Sequence, residues 1–433
     1  MKTSIYRTVA LAVCLLAGAG LCPAKPRLES FTLESGIQVL SIHLPDSNNV
    51  SIFTFLPMGL ACDGPGKAQW SHLIEHLTIR TTMPSGSRQA NAETLPDHMR
   101  LDFYGTVDNW REGLSHHGRW LKGVPFTAES LRAEKRAVNR ECDFVAQRQF
   151  THKFAMAAWG QGYRHGLGHA AIKGDVEKAE LGDVQGYRDR RLAVPDRILL
   201  CVVGGIDSST LQPAISTEMG KIRSQAKPVE PVKLHPGNRT ITWDMNARHL
   251  MLTWPIPPCS HPDYPALLVA RQWLTMKLFS DPQIKKATGM TLAGADLRVP
   301  EGTFFYVSAS LKPDSSIEDV RESIEQHLQS LRSAAGFELS MIAGQLSLQL
   351  TNITDPKMLR AQTPATVSEA MIEGNIALQW ATQEFRYGPA RPIIAKRLAT
   401  LKARDVQQAA AKYLTPENCS LCLIGASANG SSE

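Results

Sequence analysis

The sequence predicts an α+β protein of two homologous domains, each a mostly antiparallel sheet covered by helices. Three observations carry that prediction. At 433 residues the chain is long enough for two domains of roughly 200 residues each. Strand-like and helix-like apolar patterns are interleaved along it, with strands lying next to one another as hairpins do. Finally, the chain repeats part of itself. "DVQGYRDRRLAVPDRILLCVVGG" starts at Asp183 and "DVQQAAAKYLTPENCSLCLIGA" at Asp405. Each opens on Asp-Val-Gln in a helical stretch. Each then passes a leucine (Leu192, Leu414) and a proline (Pro195, Pro416) and ends as an apolar strand at a glycine (Gly204, Gly425).

The elements follow in chain order. Residues 1–24 read as a signal peptide: Lys2 and Arg7 precede the apolar "TVALAVCLLAGAGL", and Cys22 and Ala24 are small residues at the cleavage positions. Cleavage is expected after Ala24, with export to the periplasm or an equivalent compartment. A lipid-anchored Cys22 is disfavoured by the bulky Leu21 before it. No later stretch is long and apolar enough for a membrane helix, so no membrane span is expected in the mature chain. "FTLESGIQVLSIHL", "VSIFTFLPMGL" and "LDFYGTV" read as strands. "AQWSHLIEHLTIRTT" and "TAESLRAEKRAVNRECDFVAQRQ" read as helices. The second half alternates in the same way, with "RTITWDM", "HLMLTWPI" and "GTFFYVSASL" as strands and "YPALLVARQWLTMKLF" as a helix. Between the halves, "SQAKPVEPVKLHPGN" (224–238) holds three prolines and few core candidates, a linker composition. The reading is therefore a domain at 25–223, a linker at 224–238 and a second domain at 239–433.

Composition excludes some classes. The formal charge is +6, or +4 without Lys2 and Arg7, and the basic residues are scattered among acidic ones. Nothing there calls for nucleic acid. Six cysteines remain after cleavage: Cys62, Cys142, Cys201, Cys259, Cys419 and Cys422. "CSLC" has redox or metal spacing but lies in a strand, where side chains three apart point to opposite faces. The reading is therefore buried strand cysteines. Cys62 precedes the "SHLIEHL" helix and Cys142 adjoins Glu141, which leaves a bridge between them open.

The chemistry concentrates in "SHLIEHL". On a helix His72 and His76 share a face, and Glu75 lies beside them. This is the H-x-x-E-H order, in which two imidazoles can bind one zinc ion and the glutamate can take a proton from water. A further ligand must come from elsewhere. "AEKRAVNRE" offers Glu134 and Glu141, seven apart and on one face of the second helix, with Glu141 as ligand and Glu134 as a supporting group. Against this stands a plain reading: five-residue motifs arise by chance, and Glu134, Lys135, Arg136, Arg140 and Glu141 form a solvated helix face.

These residues carry a resemblance. The chain resembles the pitrilysin and insulinase family of zinc metallopeptidases, and within it the two-domain subunits similar to mitochondrial processing peptidase. The likeness runs along nearly the whole mature chain. It is carried by "LESGIQVL", "GLACDGPGKAQWSHLIEHL", "NAET", "AEKRAVNRE" and "GHAAIKGDVEKAELGDVQGYRDRRLAVPDRILLCVVGGID". The resemblance implies zinc ligands at His72, His76 and Glu141, with Glu75 as general base and Glu134 in support. It implies an edge strand around Asn91 and Ala92 that takes up extended peptides by main-chain pairing.

The departures matter as well. His76 and Glu141 are 65 positions apart, shorter than is usual in the family. In "LFSDPQIKKATGMTL", Lys285 and Leu292 stand where the family pattern has a substrate-contacting arginine and tyrosine. Lysine lacks the planar fork and leucine has no hydroxyl. The resemblance therefore implies a peptidase completed by a homologous partner subunit that carries the arginine and tyrosine. The rivals are a non-catalytic assembly or chaperone-like subunit of the same fold, and a binding protein with no metal.

Overall fold

The computed structural model describes residues 26–82, 90–146, 152–172, 175–222, 227, 232–299, 302–351 and 368–426. The expected signal segment lies outside them. The expected linker falls within them only at 227 and from 232 onward.

The first half builds a six-stranded sheet from β1 (Arg27–Thr32), β2 (Gln38–His43), β3 (Asn49–Leu56), β4 (Ala90–Thr94), β5 (Met99–Thr106) and β7 (Leu199–Gly204), in the order β1-β2-β7-β3-β5-β4. The second sheet joins β6 (His169–Ala170), β8 (Arg239–Trp243), β9 (Arg248–Ile256), β10 (Thr288–Val299), β11 (Gly302–Leu311) and β12 (Ser420–Ala426), in the order β10-β11-β9-β12-β8-β6. The two run alike. β3 lies antiparallel to β5 and β7, and β9 lies antiparallel to β11 and β12. β2 is parallel to β7 as β8 is to β12. The outer strands differ, because β1 is antiparallel to β2 whereas the two-residue β6 is parallel to β8. All other pairings are antiparallel, as the predicted α+β class requires.

The first-half helices are α1 (Trp70–Thr82), α2 (Trp110–Lys122), α3 (Ala128–Ala146), α4 (His152–His165), α5 (Leu181–Arg191) and α6 (Ser208–Met219). Those of the second half are α7 (Tyr264–Ser280), α8 (Pro282–Ala287), α9 (Ile317–Leu331), α10 (Gly336–Thr351), α11 (Glu369–Tyr387), α12 (Arg391–Thr400) and α13 (Ala403–Tyr413). Helices α1 and α2 cover one face of the first sheet, burying Trp70, Leu73, Leu77, Trp110 and Leu114 with Ile52, Leu101 and Phe103. On the second sheet α7, α9 and α10 do the same over Leu252, Trp254 and Phe305.

The opposite faces are covered by exchange. Helix α11, from the second half, lays Ile372, Ile376 and Trp380 on Phe53, Phe55 and Cys201 of the first sheet. Helix α4, from the first half, packs Phe154, Ala158 and Trp159 in one cluster with Ile241, Met251 and Phe304 of the second sheet. Each half therefore needs a helix of the other to close its core. The repeated segments sit in matching places. Leu192 and Leu414 end helices α5 and α13, Pro195 and Pro416 open short 3-10 turns, and Cys201 and Cys422 are each the third residue of a strand. All six described cysteines are free thiols, including Cys62 and Cys142. Cys422 lies in the core under α4, and Cys419 packs against the opposite core.

Candidate functional site

Helix α1 turns Trp70, Leu73, Ile74 and Leu77 inward, spaced as one helical face requires. That rotation places His72, Glu75 and His76 on the flank facing α3. Helix α3 buries Leu131, Val138 and Cys142, and within the same stripe Glu134, only 7% exposed. A carboxylate on a buried stripe needs a partner. Glu134 has two: Oε2 lies 3.0 Å from His76 Nδ1, and Oε1 accepts from Arg80 Nη1 at 2.9 Å. Two turns further along α3, Glu141 emerges with its side chain more than half exposed. Its two oxygens face both imidazoles, at 3.2 Å from His72 Nε2 and 3.4 Å from His76 Nε2.

Each ring is held from behind. His72 Nδ1 lies 3.1 Å from Gln69 Oε1, and His76 Nδ1 meets Glu134. Both Nε2 atoms therefore converge on Glu141. Burial opposes a charge on His76, but its hydrogen bonds to Glu141 and Glu134 outweigh burial and raise its pKa to about 8. Hydrogen bonds from His72 and His76 hold the Glu141 carboxyl well below the usual range.

These atoms fit a zinc ion. Tetrahedral zinc, with bonds of about 2.0–2.1 Å, sets its ligand atoms roughly 3.4 Å apart. Glu141 turns one oxygen to each histidine, at separations close to that edge. A second trio, His72, Glu75 and His76, also offers ligand atoms within 4.8 Å of one another. Glu141 is the better third ligand, because Glu75 is engaged elsewhere. Its Oε2 accepts a hydrogen bond of 2.5 Å from Thr94 Oγ1, on β4. Glu75 is thereby drawn toward the edge strand.

β4 ends the first sheet, paired on one side only, through Asn91 with Asp102 and Ala92 with Leu101 of β5. Asn91 is exposed and Ala92 half-buried. Lys285 lies on α8 and Leu292 on β10, the edge strand of the second sheet. Lys285 Nζ stands 5.2 Å from the Phe279 ring, and Leu292 on β10 is 38% exposed. A cleft of about 600 Å³ opens between the sheets beside Phe31, Asp97, Arg298 and Arg386, and it contains none of the residues of the His72 cluster. The convergent imidazole and carboxylate atoms lie outside this cleft.

Three contributing residues escape the motif: Gln69, Arg80 and Thr94. Gln69 and Thr94 lie in stretches that carry the resemblance, "GLACDGPGKAQWSHLIEHL" and "NAET", but nothing in either marked their contacts.

Comparison with known proteins agrees with this architecture. Residues 183–340 match the family profile described as peptidase M16 inactive domain. That match begins after Glu141 and so includes none of the His72 cluster. A protease from Helicobacter pylori superposes with a TM-score of 0.65 at 16% identity, over 93% of this chain and 100% of that one. A peptidase M16 inactive domain from Pseudomonas fluorescens gives 0.64 at 16% identity, over 93% and 98%. The first half of the periplasmic protease PqqL from Escherichia coli gives 0.59 at 14% identity, over 93% and 92%, and this chain spans 48% of the whole of PqqL. The comparison with curated proteins found no match. The chain thus has the fold of the M16-like peptidases.

Proposed function

We propose that this chain is an exported zinc metallopeptidase subunit that hydrolyses short or unfolded peptides. One observation carries the reading: two imidazole Nε2 atoms and the Glu141 carboxylate converge at zinc-ligand spacing, while Glu75 is turned beside them toward an open strand edge. His72, His76 and Glu141 would hold the metal, and Gln69 and Glu134 would orient the rings. Bound zinc would supply a Lewis acid that polarises the scissile carbonyl and makes water acidic enough to attack near neutral pH. Glu75 would take a proton from the attacking water and deliver it to the leaving amine. The peptide adds to β4 at Asn91 and Ala92 through main-chain hydrogen bonds, which accept many sequences.

The assembly around this site follows from what the chain lacks. The chain divides at 224–238, and its second domain carries no arginine and tyrosine pair at Lys285 and Leu292. A homologous partner subunit would supply that pair. PqqL, of which this chain spans about half, has room for two such units in one chain. The segment 1–24 would direct export, in keeping with the periplasmic setting of PqqL, and no helix among the described residues is long and apolar enough to cross a membrane. Lys285 and Leu292 also favour a second reading, a non-catalytic assembly subunit of this fold.

The experiment is hydrolysis of a quenched unstructured peptide by the purified chain with its homologous partner. Glu75→Gln should keep zinc and lose at least about a hundredfold in rate. Equal rates for wild type and Glu75→Gln would reject the mechanism and leave the assembly reading.

A further inference from the structure

Gln69 stands directly before the first turn of α1 with φ at 67°, the one non-glycine residue of positive φ among the described residues. Left-handed backbone is unfavourable for a residue with a Cβ, and asparagine and aspartate, rather than glutamine, are the usual exceptions. The position is also wrong for glutamine as a helix cap, where a short side chain on extended backbone normally accepts from the second or third helical N–H. The Gln69 carbonyl accepts the first helical bond, from Leu73 N at 2.8 Å. Its side chain caps nothing.

Capping has passed to Asp63. The Ser71 N–H, second in the helix, reaches Asp63 Oδ1 and Oδ2 at 3.2 and 3.4 Å, and Ser71 Oγ donates to Oδ1 at 2.6 Å. The Gln69 carboxamide is left to meet His72 Nδ1, and at 3% exposure water does not compete for it. An imidazole that offers Nε2 to a metal carries its proton on Nδ1, and that N–H must donate. Oε1 of Gln69 is the acceptor in place.

We infer that Gln69 is a positioning residue of the metal site: its left-handed backbone is retained because it delivers a carboxamide oxygen to His72 Nδ1, fixing the tautomer and aim of that ring. The inference rests on the zinc reading above. It gives each histidine its own anchor, Gln69 for His72 and Glu134 for His76.

The test is zinc affinity, measured by competition with a chromophoric chelator, together with the thermal midpoint of the metal-free protein. Gln69→Ala and Gln69→Gly both remove the carboxamide, and each should weaken zinc binding about 10- to 100-fold. Gln69→Glu keeps an acceptor and should bind within about threefold of wild type. The two deletions should part in stability, because alanine keeps a Cβ in left-handed backbone and glycine does not. Metal-free Gln69→Ala should melt below Gln69→Gly. Wild-type affinity in both deletions, or failure of Gln69→Glu to restore binding, would overturn the inference while leaving zinc itself in place. A wild-type protein that binds no zinc would instead overturn the metal reading, and this inference with it.

Discussion

In the first half α1 sets His72 and His76, four residues apart, against Glu134 and Glu141 of α3. In the second half α7 sets Trp273 and Lys277, also four apart, against Glu338 of α10. Helices α1 and α7 follow β3 and β9, which hold matching places in their sheets. The indole N–H and the ammonium lie 2.8 and 2.7 Å from the Glu338 oxygens. Both are donors with no lone pair to offer a cation; the ammonium neutralises the carboxylate and the indole occupies its second oxygen. Imidazole can turn a lone pair toward the same kind of carboxylate. One helix pair thus makes a salt bridge, and the other gathers imidazoles and carboxylates whose lone pairs fit a cation. Among the described residues the His72, Glu75 and His76 group, whose ligand atoms lie within 4.8 Å of one another, belongs to the first half.

The histidines repeat the lesson. His76, between two carboxylates, is raised to about 8. His152 of α4 and His249 of β9 pack ring to ring, 5.3 Å apart, where burial lowers them to about 4 and about 3.

The largest expected effect tests the exchange that makes the halves interdependent. Trp159 on α4 and Trp380 on α11 are each 2% exposed. Trp159→Ala or Trp380→Ala should destabilise the protein by about 3–5 kcal/mol. Denaturant unfolding should show both halves weakened by either change. Loss confined to one half would break the comparison.

Next comes acid. The folded pKa values of His152 and His249 lie below the ordinary value of 6.5, so the unfolded chain binds more protons below that pH. Their contribution is complete above about pH 6.5 and declines as pH falls toward 4 and 3. At pH 5 it has fallen by roughly 2 kcal/mol per histidine. Denaturation of the metal-free protein should show this slope, and His249→Phe should flatten it. An unchanged slope would remove the buried pair from the account.

Glu134→Gln should weaken zinc about 10- to 100-fold by loosening its hold on His76. Arg80→Ala, which removes the second partner of Glu134, should do less. Thr94→Val should slow turnover about tenfold, the loss of about one hydrogen bond, with zinc content unchanged. Thr94→Ser should restore most of the rate. A normal rate in Thr94→Val would mean that β4 does not aim Glu75.

How much of this was legible beforehand depends on the range of each interaction. Periodicity within one element placed His72 beside His76, and Glu134 on the same face as Glu141, because helix geometry is local. The Asp-Val-Gln repeat gave two like sheets for the same reason. Nothing local told that Glu134 lies in a buried stripe, since its neighbours Lys135 and Arg136 read as solvated charge. Thr94 touches Glu75 only because the edge strand crosses beside α1. Gln69 has its role through a backbone angle that composition does not encode. The exchange of α4 and α11 was hidden as well, because an apolar helix face states that it must be covered without saying which sheet covers it.

The central claim is that the first half binds one zinc through His72, His76 and Glu141 and the second half binds none. The direct measurement is zinc content per chain, by elemental analysis after dialysis, for wild type, Glu141→Gln and Glu338→Gln. The account predicts about one zinc in wild type, little in Glu141→Gln and about one in Glu338→Gln. Full occupancy in Glu141→Gln, or a wild-type protein free of zinc, would contradict it.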